Sequence, residues 1–89
     1  MAIGFSKDGK YLLTLSHSGR GLYMTQTWER IARCPQTVYP TDGKIPGIGP
    51  LDGQMIEVKE RNEFNEKIEI VSPDGMIQLI GESDGITIL

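Results

Sequence analysis

The single histidine and single cysteine are the residues of this sequence best suited to catalysis. His17 lies between two serines, Ser16 and Ser18. A nucleophile–base pair also requires an orienting group and an oxyanion site, and adjacent residues on a turn rarely face each other correctly. We therefore expect His17 to be an exposed turn residue.

Cys34 follows Arg30 and Arg33, and nearby cations favour the reactive thiolate. A lone cysteine at the end of an element is more often a small buried apolar group, so we expect Cys34 to be buried and inert. A single cysteine cannot close an intramolecular disulfide, and with a single histidine it cannot complete the usual zinc site.

Aspartates at turn positions are the remaining candidates for chemistry. The sequence contains no Asp-x-Asp-x-Asp-Gly loop, the motif that would indicate calcium binding. It also contains no pair of carboxylates whose placement suggests acid–base catalysis. A chain of 89 residues also rarely encloses a deep, dry pocket. We predict no enzyme activity, no cofactor and no metal site. Turn formation accounts for all five aspartates: Asp8, Asp42, Asp52, Asp74 and Asp84.

Glycine-containing turn pairs recur at a fixed interval and indicate a repeat. Asp-Gly favours tight hairpin turns, because glycine adopts positive φ without cost. The units begin at Asp8, Asp42 and Asp74, 34 and 32 residues apart, and self-similarity at a period of about 20–50 residues is typical of stacked supersecondary units. In each unit the second pair follows the first by ten residues: Asp8-Gly9 and Ser18-Gly19, Asp42-Gly43 and Asp52-Gly53, Asp74-Gly75 and Asp84-Gly85.

The pattern in each unit predicts four elements in the order turn, strand, turn and strand. The predicted first strands are 10–15 and 76–80, and the predicted second strands are 22–24, 55–58 and 86–89. The middle unit differs, because two prolines and two glycines in residues 44–50 make a poor central strand. An edge, a bulge or an extended loop is expected there.

Two connections complete the chain. In residues 25–34, the spacing of Trp28 and Ile31 fits a short helix slightly better than a strand. Residues 59–67 are polar and are interpreted as a long hairpin loop joining strand 54–58 to strand 67–71. The predicted fold is all-β: a single domain forming a small antiparallel sheet, sandwich or barrel of seven to nine strands. Its three hairpin repeats cover about 3–24, 40–58 and 67–89.

The stretch FSKDGKYLLTLSHSGRGLYMTQTWERI resembles a blade of a β-propeller of the tryptophan-aspartate repeat type. Ser72-Pro73-Asp74-Gly75 and Ser83-Asp84-Gly85 repeat the first part of that turn pattern. The resemblance implies a binding scaffold and no chemistry. A closed propeller needs at least about four blades. The chain is therefore expected to assemble with copies of itself or a partner, or to fold as a small sandwich or barrel.

Charge and hydropathy limit the partners. Residues 1–39 carry five basic and two acidic side chains, whereas residues 40–89 carry four basic and ten acidic ones. The basic residues are few and do not form a stripe with aromatics, so nucleic-acid binding is not expected. No apolar run approaches a membrane span of about 20 residues and no cleavable signal segment is evident, so we predict a cytoplasmic location.

The sequence therefore favours a small protein-binding or regulatory module, an adaptor or inhibitor, with self-association as a further expectation. The apolar strand 86–89 is interpreted in two ways: it pairs with residues 2–5 and closes the sheet, or it pairs with another chain. A carbohydrate-binding or small-ligand-binding lectin-like module is the alternative. The predicted contact residues are Trp28, Tyr39, Ile48, Glu57, Glu60, Glu63, Phe64, Ile86, Ile88 and Leu89.

Overall fold

A computed structural model describes residues 1–61, 67–82 and 85–89. The described chain is all-β, and every strand ladder is antiparallel, which confirms the predicted fold class. No helix in the described ranges has the length and apolar character needed to cross a membrane. The strands are β1 (Ala2–Phe5), β2 (Tyr11–Ser16), β3 (Gly19–Met24), β4 (Arg30–Cys34), β5 (Lys44–Pro46), β6 (Met55–Glu57), β7 (Lys59–Glu60), β8 (Ile68–Val71), β9 (Gln78–Glu82) and β10 (Gly85–Ile88).

Three sheets form from these strands. The largest has the order β4-β3-β2-β1-β7, the second has the order β10-β9-β8, and β5 pairs with β6 in a two-stranded hairpin. A short 3-10 turn, Gly49–Leu51, lies between β5 and β6. This turn and strand β5 occupy the segment in which the prolines and glycines predicted an irregular edge.

Strands β1–β3 and β8–β10 form two three-stranded meanders with the same register, which we call the first and second meanders. Ala2 pairs with Leu15 in the first, and Ile68 pairs with Gly81 in the second. Ser16 likewise pairs with Gly19, as Glu82 pairs with Gly85. Adding 66 to each number of the first meander gives the paired residues of the second.

The turn that opens each meander has the same hydrogen-bond network. The Ser6 hydroxyl donates to Oδ1 of Asp8 over 2.7 Å and accepts from the Tyr11 amide over 3.1 Å. Glycine is needed at the turn position, where φ is 74° at Gly9 and 76° at Gly75. In the second meander, Ser72 donates to Asp74 over 2.5 Å and accepts from Ile77 over 3.0 Å.

These bonds stabilise the ionised aspartates. The Lys10 amide, followed by the Ser6 hydroxyl, lowers the pKa of Asp8 below its ordinary value. For Asp74 the larger cause of the lowered pKa is the Ser72 hydroxyl, followed by the Met76 amide. Both carboxylates therefore act as local acceptors that fix the turn.

Two apolar clusters cover the two faces of the first meander. On one face, Leu13 and Leu22 pack against Ile45 and Ile56 of the β5–β6 hairpin. On the other face, Ile3 and Leu12 pack against the second meander through three of its side chains, Ile68, Ile70 and Leu79. The first meander is thus the middle layer of the molecule.

Gly81 of the second meander lies close to the N-terminal side chains that pack between the two meanders. A Cβ atom there would lie 2.8 Å from Cε of Met1 and 3.2 Å from Cδ1 of Ile3. A side chain at this position would therefore displace the apolar cluster between the layers.

The interpretations of both connections and the predicted number of strands are wrong. Residues 25–27 form a turn and Arg30–Cys34 forms β4, so the short helix near Trp28 is not present. The reason is that β3 offers an open edge with which this segment pairs along its length. Lys59–Glu60 forms β7 on β1, so residues 59–67 do not join two paired strands as a hairpin loop. The ten strands described also exceed the seven to nine predicted.

Candidate functional site

Strand β10 forms the outer edge of the second meander and pairs only with β9 in the part of the chain that the structure describes. The Leu89 amide donates to the Gln78 carbonyl over 2.9 Å. Because bonding alternates along an antiparallel strand, Thr87 also bonds to β9, whereas the amide and carbonyl groups of Ile86 and Ile88 point outward. This edge presents two donors and two acceptors to a further strand.

Ile86 and Ile88 of β10, and Leu89 directly after the strand, are exposed apolar side chains. Ile86 is 37% exposed, Ile88 50% and Leu89 63%. No charge or proline protects β10, although native edges usually carry such protection against pairing. The other edges of the two larger sheets do carry charges, as in Arg33 of β4, the Lys59–Glu60 pair of β7 and Glu69 of β8.

An apolar groove runs beside β10, between the two meanders. Its volume is about 410 Å³. Tyr23 and Trp28 line it from the first sheet, Ile86 and Ile88 line it from β10, and Leu12 is also part of its wall. A strand added to β10 would therefore place its inward side chains in this groove.

Trp28 has an unusual backbone conformation at the groove. Its φ is 58°, a left-handed value that most non-glycine residues avoid. Its amide donates to the Met24 carbonyl over 2.7 Å, which closes the turn before β4. The indole is half-buried against the cluster between the meanders. The turn thus holds an aromatic side chain in the groove wall at a cost in backbone strain.

The first meander shows what covers the equivalent edge. There β4 pairs with β3, with Cys34 opposite Arg20 and Ala32 opposite Leu22. Leu22 is fully buried, whereas its equivalent 66 positions later, Ile88, is half exposed. The same strand position is therefore covered in one copy and open in the other.

Two central positions on the outer face of the second meander are polar where the first meander is apolar. Ile3 and Leu12 are buried in the cluster between the layers, whereas their equivalents, Glu69 and Gln78, are exposed. Val71 and Leu89 are exposed apolar side chains on this same outer face. The polar central positions favour contact with solvent rather than with a further layer.

Four predicted contact residues lie together at this site. Ile86, Ile88 and Leu89 are the exposed apolar residues of the edge, and Trp28 joins them across the groove. Tyr39, also predicted as a contact residue, is 87% exposed but does not line this groove.

The structure places the other predicted contact residues elsewhere. Ile48 is buried in the cluster beneath the β5–β6 hairpin, so its prediction as a contact residue is wrong; the prolines and glycines around it fold it inward. Glu57 and Glu60 are exposed on β6 and β7, away from the groove. Glu63 and Phe64 lie outside the described residues.

The predicted pairing of residues 86–89 with residues 2–5 is also wrong. β1 pairs with β2 on one side and with β7 on the other, so neither of its edges is free for β10. The alternative interpretation, pairing of this strand with another chain, stays a prediction.

His17 and Cys34 form no catalytic arrangement among the described residues. His17 is exposed at the β2–β3 turn, as expected. Cys34 is half-buried rather than buried, because β4 is an edge strand; its Sγ accepts from Nη2 of Arg20 over 3.4 Å. Nη1 of Arg20 donates to the Pro46 carbonyl over 3.0 Å, so this guanidinium ties β3 to the β5–β6 hairpin. Within the described ranges, no group of three or more histidine, cysteine or acidic side chains could hold a metal ion.

Sequence reasoning missed the groove and the role of Tyr23 in it. The 66-residue duplication was the signal that could have found them. Aligning AIGFSKDGKY with IEIVSPDGMI matches β1 to β8 and serine to serine, and continuing the alignment places Ile88 opposite buried Leu22.

Comparisons with protein-family models, with curated proteins and with solved structures found no match to this chain.

Proposed function

We propose that this protein is a small non-catalytic protein-binding module that captures an extended segment of a partner by strand addition to β10. The observation that carries the proposal is the contrast between the two meanders: β4 covers β3, whereas no described strand covers β10. In strand addition, main-chain hydrogen bonds supply affinity and side-chain pockets supply specificity. The outward amide and carbonyl groups of Ile86 and Ile88 can form these hydrogen bonds, and the adjacent groove can receive the side chains of the bound segment.

Two features of the sequence extend this proposal. The lone cysteine suits a reducing compartment, so we include a cytoplasmic location. The Ser-x-Asp-Gly turn that opens both meanders supports the resemblance to propeller blades, whose role is that of a binding scaffold.

Proline substitution tests the proposal, because it removes an outward amide and leaves the ladder to β9 intact. Ile88→Pro acts on the β10 edge. Val71→Pro is the matched control, since Val71 is an exposed outward residue on the opposite edge of the same meander. Both variants are checked for the wild-type circular dichroism spectrum.

The immobilised full chain and the two variants are exposed to native extract, and captured proteins are quantified by mass spectrometry. A photo-crosslinking residue at position 87 then maps the contact in each captured protein. The proposal predicts capture by the wild type and Val71→Pro, loss with Ile88→Pro, and a cross-link into one extended segment. Equal capture by all three chains would refute it.

A further inference from the structure

We infer that the segment bound at β10 is an antiparallel strand with bulky apolar side chains facing the groove and basic side chains on its opposite face. This inference rests on the proposed function and specifies its partner. Strand β4, which occupies the equivalent edge of the first meander, provides the template.

The register of β4 gives the inward positions. Cys34 lies opposite Arg20 and Ala32 opposite Leu22. The duplication transfers these two positions to Ile86 and Ile88. A strand paired with β10 therefore has its inward side chains opposite Ile86 and Ile88, which line the groove.

The space beneath the added strand sets the size of these side chains. In the first meander the 3-10 turn packs against β4, and a Cβ atom on Gly49 would lie 2.9 Å from Cβ of Ala32. The small side chain of Ala32 suits that contact. At β10 the equivalent space is the open groove, walled by Tyr23 and Trp28. Leucine, isoleucine or phenylalanine would bury more apolar surface there than alanine.

The acidic residues of the second meander determine which charges are favoured on the opposite face of the added strand. Arg33 of β4 lies opposite Gly21, on the face equivalent to the outer face of the second meander. Glu69 and Glu82 are exposed in the second meander. An added strand would lie two strand spacings from Glu82 on β9 and three from Glu69 on β8, about 10 and 14 Å. Arginine or lysine at the positions of Arg30 and Arg33 would therefore be attracted mainly to Glu82, through a salt-dependent field, and acidic residues would be repelled.

The experiment supplies such a strand in the same molecule. Residues 24–35 are copied directly after Leu89 of the full chain, which preserves the 66-residue offset; in this extension the copies of Ala32 and Cys34 are leucine. One control extension has alanine at both positions. A second keeps the leucines and has glutamate in place of the copies of Arg30 and Arg33. Linkage gives every extension a high effective concentration, so weak pairing is still detected.

Amide hydrogen exchange reports the pairing. The Ile86 and Ile88 amides point outward, whereas the Leu89 amide bonds to Gln78 and serves as an internal reference. We expect the leucine–arginine extension to slow exchange at Ile86 and Ile88 by about tenfold or more. The alanine and glutamate extensions should give several-fold less protection, and the glutamate difference should shrink at high salt.

Three results would overturn the inference. Equal protection by all extensions would show that the edge does not select this chemistry. Absence of protection by any extension would show that a β4-like strand does not fit. Protection in the unextended chain that rises with protein concentration would identify a second copy as the occupant. The capture experiment with Ile88→Pro is independent of these results, so the proposed function can fail or survive separately.

Discussion

The first and second meanders share one backbone plan and differ in their surroundings. The serine–aspartate turn, the strand register and the glycine conformation are equivalent at positions 66 residues apart. The first meander is covered on both faces and both edges, whereas the described residues cover the second on one face. Local sequence therefore determines the meander, and the neighbouring segments determine which of its surfaces remain free.

The comparison also shows how side chains adapt the same plan to each environment. Leu13 and its equivalent Leu79 are both fully buried, since each points into an interlayer cluster. Ile3 and its equivalent Glu69 differ because only the first faces another layer. At the edge, Leu22 and Ile88 are both apolar, although only Leu22 is covered. This retained apolar character is the feature that supports the proposal of strand addition at β10.

The largest expected loss of stability comes from shortening a buried leucine in either meander, and it tests whether both meanders belong to one cooperative core. Leu13→Ala and Leu79→Ala should each lower the free energy of unfolding by about 2–5 kcal/mol, because each leaves a cavity in a packed cluster. Urea denaturation followed by fluorescence and by circular dichroism measures the change.

The control for this pair is Val71→Ala, which alters an exposed side chain and should change stability by no more than about 0.5 kcal/mol. If Leu79→Ala had no more effect than this control, the second meander would not pack on the first as described.

The next effect tests the equivalence of the two turns. Ser6→Ala and Ser72→Ala should each cost about 1 kcal/mol, since each leaves a partly buried backbone amide without its hydroxyl acceptor. Thermal or urea denaturation measures both, and Ser18→Ala at the exposed β2–β3 turn is the matched control. A clear loss of stability in one serine variant and none in the other would show that the two turns are not equivalent.

Substitutions of Trp28 test two features of this residue, its left-handed backbone conformation and the contribution of its indole to the groove. Because Trp28 has a positive φ, Trp28→Gly should be more stable than Trp28→Ala by about 1 kcal/mol. Both variants remove the indole and should weaken partner capture equally. If the alanine variant were the more stable, the left-handed conformation would be contradicted.

The smallest effect is the pH dependence of the turns. The pKa values of Asp8 and Asp74 are lowered from 3.8 in the folded chain, so their contribution to stability is present above this value. It should be lost as the pH falls below about 4, where protonation favours the unfolded state. Urea midpoints between pH 2 and 7 should fall less steeply in Asp8→Asn and Asp74→Asn. Unchanged slopes would show that these carboxylates do not stabilise the turns.

The sequence predicts part of this organisation for physical reasons. Asp8-Gly9 and Asp74-Gly75 determine local turns, and alternation in residues 68–71 predicts a half-buried strand. The short helix predicted in residues 25–34 does not form, because pairing of Arg30–Cys34 with β3 overrides a weak local preference for helix. Burial of Ile48 likewise depends on the cluster around it, which no local pattern reveals. The edge residues Ile86, Ile88 and Leu89 could be predicted, but the groove wall from Tyr23 and Trp28 required the packing of the two meanders.

Residue-specific amide exchange at β10, in dilute full-length chain and in the complex with a captured partner, tests the open edge most directly. We predict rapid exchange at Ile86 and Ile88 in the free chain, slow exchange at Thr87 and Leu89, and protection of all four amides in the complex. Slow exchange at Ile86 and Ile88 in the dilute free chain would contradict the account, because the edge would then already be covered. Rapid exchange at both in the complex would show that the partner binds elsewhere.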